Sequence, residues 1–271
     1  MVGKDKNSRA AAVNSGGRGR RWRALLWLAF LLLFVCGTVF GANALYEAWF
    51  PGNGRLVLRR LQISSRGYWN GRENELMRRL GLRPGTTLFS LDPRAIRESL
   101  ERIPCVESAR VYRVLPDTLH VEIVERIPRA SLLKPGSPLV VDENAVIMTR
   151  SESLAYNGKL ELPVITGIRS SGMTPGVSYP KLRPALGLIM LTLRRYPMFR
   201  ISTVSMVSPD SMVCYFLYRG GRSHYRAVLP VRSRGMEFLL SALESAIIEV
   251  RRSGDGQRNF NLTYDGQVVV N

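Results

Sequence analysis

From Ala24 to Tyr46 the chain carries no charged residue. As an α-helix this run rises about 34 Å, enough to cross a hydrocarbon layer of about 30 Å. Two other uses of such a run are a buried core helix, which its charge-free length disfavours, and a cleavable signal peptide, for which Ala42-Asn43-Ala44 offers a cleavage site. The apolar region of a signal peptide is about 7 to 15 residues, so the length favours an uncleaved anchor. Arg20-Arg21 is a weak match to a twin-arginine signal. Trp22 before the run, and Tyr46, Trp49 and Phe50 at and beyond its end, fit interfacial aromatic belts.

Charge sets the expected orientation. Residues 1–23 hold Lys4, Lys6, Arg9, Arg18, Arg20, Arg21 and Arg23 against Asp5, and Glu47 follows the run closely. The positive-inside rule keeps that basic tail cytoplasmic and exports the rest of the chain. The overall balance, 39 Lys and Arg against 21 Asp and Glu, suggests an acidic partner. Export removes nucleic acid as the leading one and leaves anionic headgroups or wall polymers, though the basic residues after the span, such as Arg59, Arg60, Arg110, Arg113, Arg194, Arg195, Arg251 and Arg252, are scattered as on a solvated face.

Beyond a linker at Pro51-Gly52-Asn53-Gly54, residues 55–64 read as a strand. Asn70-Gly71-Arg72-Glu73 offers a capping box, with Leu76, Met77 and Leu80 as an apolar stripe and Gly81 as a left-handed cap. Asp92-Pro93 opens a second helix, with Ile96, Leu100 and Ile103 on one face and Pro104 as its stop. A hairpin follows. Residues 107–114 pair with a strand in which Leu119, Val121 and Ile123 alternate with Thr118, His120 and Glu122, across a Leu115-Pro116-Asp117-Thr118 turn that places Pro at the first turn position. The order strand, helix, helix, strand, strand predicts a two-layer α+β unit with the helices on one face of the sheet.

Residues 128–271 read as strands around two helices. Leu139 to Ile147 is strand-like about a turn at Asp142-Glu143-Asn144, and Leu182, Leu186, Ile189 and Leu193 make a helical stripe. Residues 212–218 and 225–229 form a hairpin across Gly220-Gly221. Leu239, Ala242, Leu243, Ala246, Ile247 and Val250 mark a second helix, and residues 260–264 and 267–270 flank the hairpin dipeptide Asp265-Gly266.

Catalytic raw material is sparse, with His120 and His224 as the two histidines and no phosphate-cradling glycine spacing. Glu122 and Glu125, three apart on a strand, point to opposite faces. Cys36 lies in the apolar run; Cys105 and Cys214 read as small buried hydrophobes rather than a disulfide, and no spacing suggests a zinc site. The expectation is a binding protein with no cofactor, metal or small-molecule substrate. A wall enzyme would instead need a constellation such as Asp142, Glu143 and His224. The terminal strand 267–270, with Val268 and Val270 sharing one face, is a candidate edge that another chain can extend.

The run Leu88-Phe89-Ser90-Leu91-Asp92, then Ile103-Pro104-Cys105-Val106, Ala109-Arg110-Val111, Leu115-Pro116-Asp117-Thr118-Leu119 and Val124-Glu125-Arg126-Ile127-Pro128, resembles the POTRA domain of the bacterial division family FtsQ (DivIB). Leu139-Val140-Val141-Asp142, Leu162-Pro163-Val164-Ile165-Thr166-Gly167 and Phe260-Asn261-Leu262-Thr263-Tyr264 resemble that family's second domain. Cys105 stands where the family usually has an aromatic, and Asn261 and Thr263 where it often has Asp and Arg. The resemblance implies an α+β protein with a cytoplasmic tail at 1–23, a transmembrane helix at 24–46, a POTRA domain at 55–127 and a β-rich domain with two helices at 128–271. It also implies a non-enzymatic scaffold in the inner membrane that receives FtsB- and FtsL-like partners on its C-terminal sheet. Leu262, Tyr264, Asp265, Gly266, Val268 and Val270 are the residues expected there. A membrane-anchored POTRA protein for another export or assembly task is the nearest alternative.

Overall fold

The computed structural model describes residues 16–49, 56–153, 161–206, 208–231, 235–264 and 268–270, which form two units divided between Leu56 and Val57. The first is a single helix, α1 (Gly16–Trp49). Its segment Leu26–Leu45 has a mean hydropathy of 2.1 and exposed apolar side chains along its length. By length and composition this segment is apolar enough to cross a membrane. α1 starts earlier than the charge pattern suggests, because arginine is a good helix former and extending an existing helix costs little. Trp22 is exposed as a belt residue would be, whereas the Tyr46, Trp49 and Phe50 side chains and the 51–54 linker lie outside the described residues.

The second unit opens with a three-stranded sheet in the order β1-β3-β2, formed by β1 (Arg60–Ser64), β2 (Val106–Val114) and β3 (Thr118–Glu125). β1 runs parallel to the central β3, with Leu61 opposite Leu119 and Ile63 opposite Val121, and β2 is antiparallel to it. The helices α2 (Glu73–Arg79) and α3 (Pro93–Glu101) bury Leu76, Ile96 and Leu100 in the core that Leu119, Val121 and Ile123 build from the sheet. Asp92 caps α3 as expected, its Oδ1 accepting the Arg94 N–H at 2.9 Å. Gly81, at φ +66°, closes α2 with the Leu82 N–H bonded to the Met77 carbonyl and its own N–H to that of Arg78, a Schellman pair.

Three local expectations are corrected. The N-cap of α2 is Arg72 rather than Asn70, since Gly71 at φ +71° turns the chain between them; the first turn is held by the Arg72 guanidinium, 2.9 Å from Glu75 and 3.3 Å from the Tyr68 hydroxyl. β1 starts at Arg60 because Leu58 bonds instead to Thr86 and Gly85. The expected turn is present at residues 115–117, with a cis Leu115–Pro116 peptide. Thr118 is buried beside the turn, its hydroxyl donating to Asp117.

A nine-stranded sheet follows, ordered β12-β11-β10-β9-β8-β7-β4-β5-β6. Its strands are β4 (Ala130–Leu132), β5 (Leu139–Val141), β6 (Ile147–Thr149), β7 (Val164–Thr166), β8 (Phe199–Ser205), β9 (Ser211–Tyr218), β10 (His224–Pro230), β11 (Asn259–Asn261) and β12 (Val269–Val270). The crossovers β7-α4-β8 and β10-α5-β11, through α4 (Arg183–Arg195) and α5 (Met236–Ser253), join parallel neighbours. They step in the same direction across strands of the same sense, so one crossover hand puts both helices on one face. There they share a core with Phe199, Phe216, Tyr218, Tyr225 and Phe260.

In α4 the buried residues are Ala185, Leu186, Leu188, Ile189 and Thr192, and Leu182 just before it is buried too, so Leu182, Leu186 and Ile189 of the expected stripe do face the core. Thr192 takes the place expected for Leu193, because its hydroxyl is satisfied by the Leu188 and Ile189 carbonyls, 3.0 Å away. Leu193 is 60% exposed and lines a groove of about 970 Å³ with Leu162, Ile201 and Leu217. α5 likewise turns Leu240, not Leu239, fully inward with Leu243, Ile247 and Val250.

The two sheets meet at the β5–β6 hairpin. Val141 and Ile147 point into the larger core, while Val140 and Met148, one residue along each strand, join the core of the smaller sheet. Arg126 Nη1 lies 3.0 Å from Asp142 Oδ2, and Arg79 lies 3.0 Å from Glu152.

Candidate partner-binding edge

β12 is the outermost strand of the large sheet. It pairs antiparallel with β11, Phe260 opposite Val270 and Asn261 opposite Val269, and among the described residues no strand meets its other side. Such a strand presents unpaired N–H and C=O groups along one side. Val268 and Val270 pack against the core, in keeping with their shared face, so the side chains hold the strand in place while its backbone edge stays open.

The support beneath is an aromatic cluster. Tyr225 lies between Phe216, stacked at 5.8 Å, and Phe260, at 6.3 Å between centroids. The Arg251 guanidinium sits 6.0 Å from the Tyr225 ring and donates through Nε to its hydroxyl at 3.1 Å. Glu244 accepts the Tyr218 hydroxyl at 3.2 Å; burial first and Glu244 second push the Tyr218 phenol above its usual range.

The expected contact residues separate by role. Leu262 is 2% exposed in the core, and its N–H donates to the Val228 carbonyl at 2.9 Å. Its side chain is therefore structural, which corrects its expected place in the contact. Asn261 Oδ1 accepts both the backbone N–H and the hydroxyl of Thr263, at 3.0 and 2.7 Å, an Asx-type turn that ends β11 before the strand expected to reach residue 264. Tyr264 follows this turn and is 58% exposed. Asp265 and Gly266, with the hairpin turn they were expected to form, lie outside the described residues.

The side chains that a wall enzyme would need are dispersed. Asp142 is committed to Arg126 and to the N–H groups of Asn144 and Val146, while Glu143 faces Arg129 and Arg194. His224 lies on β10, five strands away from β5, about 24 Å at normal strand spacing. Among the described residues no three or more His, Cys, Asp or Glu side chains are grouped to hold a metal ion. Cys105 and Cys214 are free and belong to different cores; burial pushes their thiols up to about 11 and about 12, as for inert packed cysteines. Glu122 and Glu125 do face apart: Glu122 meets Tyr112 and Arg110 on the open face, and buried Glu125 accepts from Ser65 and from the N–H groups of Tyr68 and Trp69.

Residues 62–126 match the family model for the FtsQ-type POTRA domain. Over 207 residues the chain is 30% identical to the cell division protein FtsQ of Myxococcus fulvus, covering 72% of this chain and 69% of that one. It is 31% identical over 193 residues to FtsQ of Anaeromyxobacter sp. (strain K), covering 71% and 63%, and 28% identical over 207 residues to FtsQ of Syntrophotalea carbinolica, covering 73% and 69%. The matches thus span slightly under two thirds to somewhat over two thirds of these relatives' lengths. With an apolar N-terminal helix, a β-α-α-β-β unit and a β-rich region carrying two helices, the chain belongs to the FtsQ family of cell division proteins.

Proposed function

We propose that this chain acts in bacterial cell division as a bitopic membrane scaffold that binds FtsB- and FtsL-like proteins and so couples septal wall synthesis to constriction. The observation that carries this reading is the open outer side of β12 beside exposed Tyr264, in a chain of the FtsQ family. On this reading α1 is the anchor, the arginines before it keep the N-terminus cytoplasmic, and residues 55–127 and 128–271 are two domains outside the cytoplasm. A partner segment adds a strand to β12, its backbone taking the unpaired groups and its side chains meeting Tyr264 and the Val269 face. Nothing is turned over, and no cofactor is involved.

The test is co-purification of FtsB- and FtsL-like proteins with the full-length chain and with Tyr264→Lys, the folding of each checked by circular dichroism. Loss of both partners from a folded Tyr264→Lys protein is expected. Full retention would move the interface away from this edge, and no recovery by the parent chain would remove the scaffold reading.

A further inference from the structure

Three stretches meet at the end of the smaller sheet where the chain enters it. The Leu58 N–H donates to the Thr86 carbonyl and its carbonyl accepts from Gly85, both at 2.8 Å, while the N–H groups of Arg59 and Arg60 converge on the Asp117 carbonyl. Arg113, near the end of β2, donates through Nε to the Leu88 carbonyl at 2.9 Å and through Nη2 to that of Leu91. Residues 58–60, 85–91 and 113–118 therefore form one surface.

This surface is apolar and cationic together. The 3₁₀ turn Leu88–Ser90 sends Leu88 fully inward and leaves Phe89 43% exposed; in the β2–β3 turn Leu115 is 59% exposed. Arg59, Arg60 and Arg83 are exposed around them. The acids of this end are engaged, Asp92 by the α3 amide and Asp117 by Thr118 and Arg60, which hold its carboxyl below the usual range. Exposed aromatic and aliphatic side chains ringed by arginine suit the boundary layer of an anionic bilayer. Such a layer is within reach, because residues 50–56 alone separate the end of α1 from Val57, and seven extended residues span at most about 25 Å.

We propose that this end of the POTRA domain, through Phe89 and Leu115 with Arg59, Arg60 and Arg83, docks on the anionic headgroup layer of the membrane that α1 crosses. The contact rests on α1 being a span and is independent of the β12 edge.

The test uses the full-length protein in vesicles of phosphatidylcholine, with or without phosphatidylglycerol, carrying brominated acyl chains that quench nearby tryptophan. In a Trp22→Phe, Trp49→Phe background, where the other remaining tryptophan is Trp69 in the core, native Trp27 within α1 reports whether the span is embedded. The emission added by Phe89→Trp and by Leu115→Trp is expected to be quenched in phosphatidylglycerol vesicles and much less in phosphatidylcholine alone. Val124→Trp, exposed at the opposite end of β3, is expected to stay bright. Adding Arg59→Gln, Arg60→Gln and Arg83→Gln to Leu115→Trp should abolish its quenching. If Trp27 is unquenched, the span reading falls and the contact with it. If Trp27 is quenched while positions 89 and 115 stay bright, as when a protein covers this end instead, the contact alone is overturned. Equal quenching in both lipids overturns the role given to the arginines.

Discussion

Glu125 shows how much a single residue organises. Its carboxylate, buried at the end of β3, takes the N–H groups of Tyr68 and Trp69 at 2.8 and 2.9 Å and so fixes the loop that delivers the fully buried Trp69 to the core. Glu125→Ala leaves two backbone donors without their acceptor and is expected to cost about 2 to 4 kcal/mol in urea unfolding. Nearby, hydrogen bonding by Arg72, against opposition from burial, holds the Glu75 carboxyl below its ordinary 4.5. A carboxyl lowered on folding stabilises the protein above its unfolded value and loses that effect as pH falls through its folded one. The Tm advantage of the parent over Glu75→Gln should therefore be full above about pH 4.5 and fade as the pH is lowered. Residues whose job is local were legible in the sequence: Asp92 before Pro93, and Gly81 after an apolar stripe, do what their chemistry dictates. Asn70 looked equally competent, but a left-handed Gly71 moved the helix start beyond it. Glu125 could be placed on the inner face by alternation, whereas the amides it accepts lie 56 and 57 residues away, which no spacing rule reveals.

Among the elements, α4 marks where periodicity reaches its resolution. Of the apolar residues at 182, 186, 189 and 193 the first three are buried, yet in the last turn Thr192 is buried and Leu193 exposed. A hydroxyl bonded to its own helix costs little to bury, so residue polarity alone does not identify the inward face. Ile189→Ala should cost about 2 to 4 kcal/mol and Leu193→Ala less than about 1 kcal/mol in the same unfolding assay, an order that a Leu193-centred stripe would not give. The hairpins were legible because turn chemistry and alternation are adjacent in sequence. The parallel pairings β4–β7 and β1–β3 were not, since their partners are brought together by packing across long separations.

The molecule outside α1 is two sheets joined by a shared wall, with alternate residues of β5 and β6 serving different cores. The buried Asp142 carboxylate ties that wall to Arg126 and closes the β5–β6 turn. Asp142→Ala leaves Arg126 without its partner and should cost about 3 kcal/mol while the protein outside α1 still unfolds in a single transition, because both cores share the same hairpin. The apolar N-terminal helix, the β-α-α-β-β order and the β-rich region with two helices were legible in the order of motifs; the wall was not, because a two-faced hairpin reads simply as apolar. The account turns on the use of β12 by a partner strand. Hydrogen exchange of the full-length protein, with and without an FtsB-like partner, tests this most directly. Strand addition predicts strong new protection at residues 268–270, with the already buried Leu262 little changed. Protection confined to other surfaces, with β12 exchanging as fast as in the free protein, would contradict it.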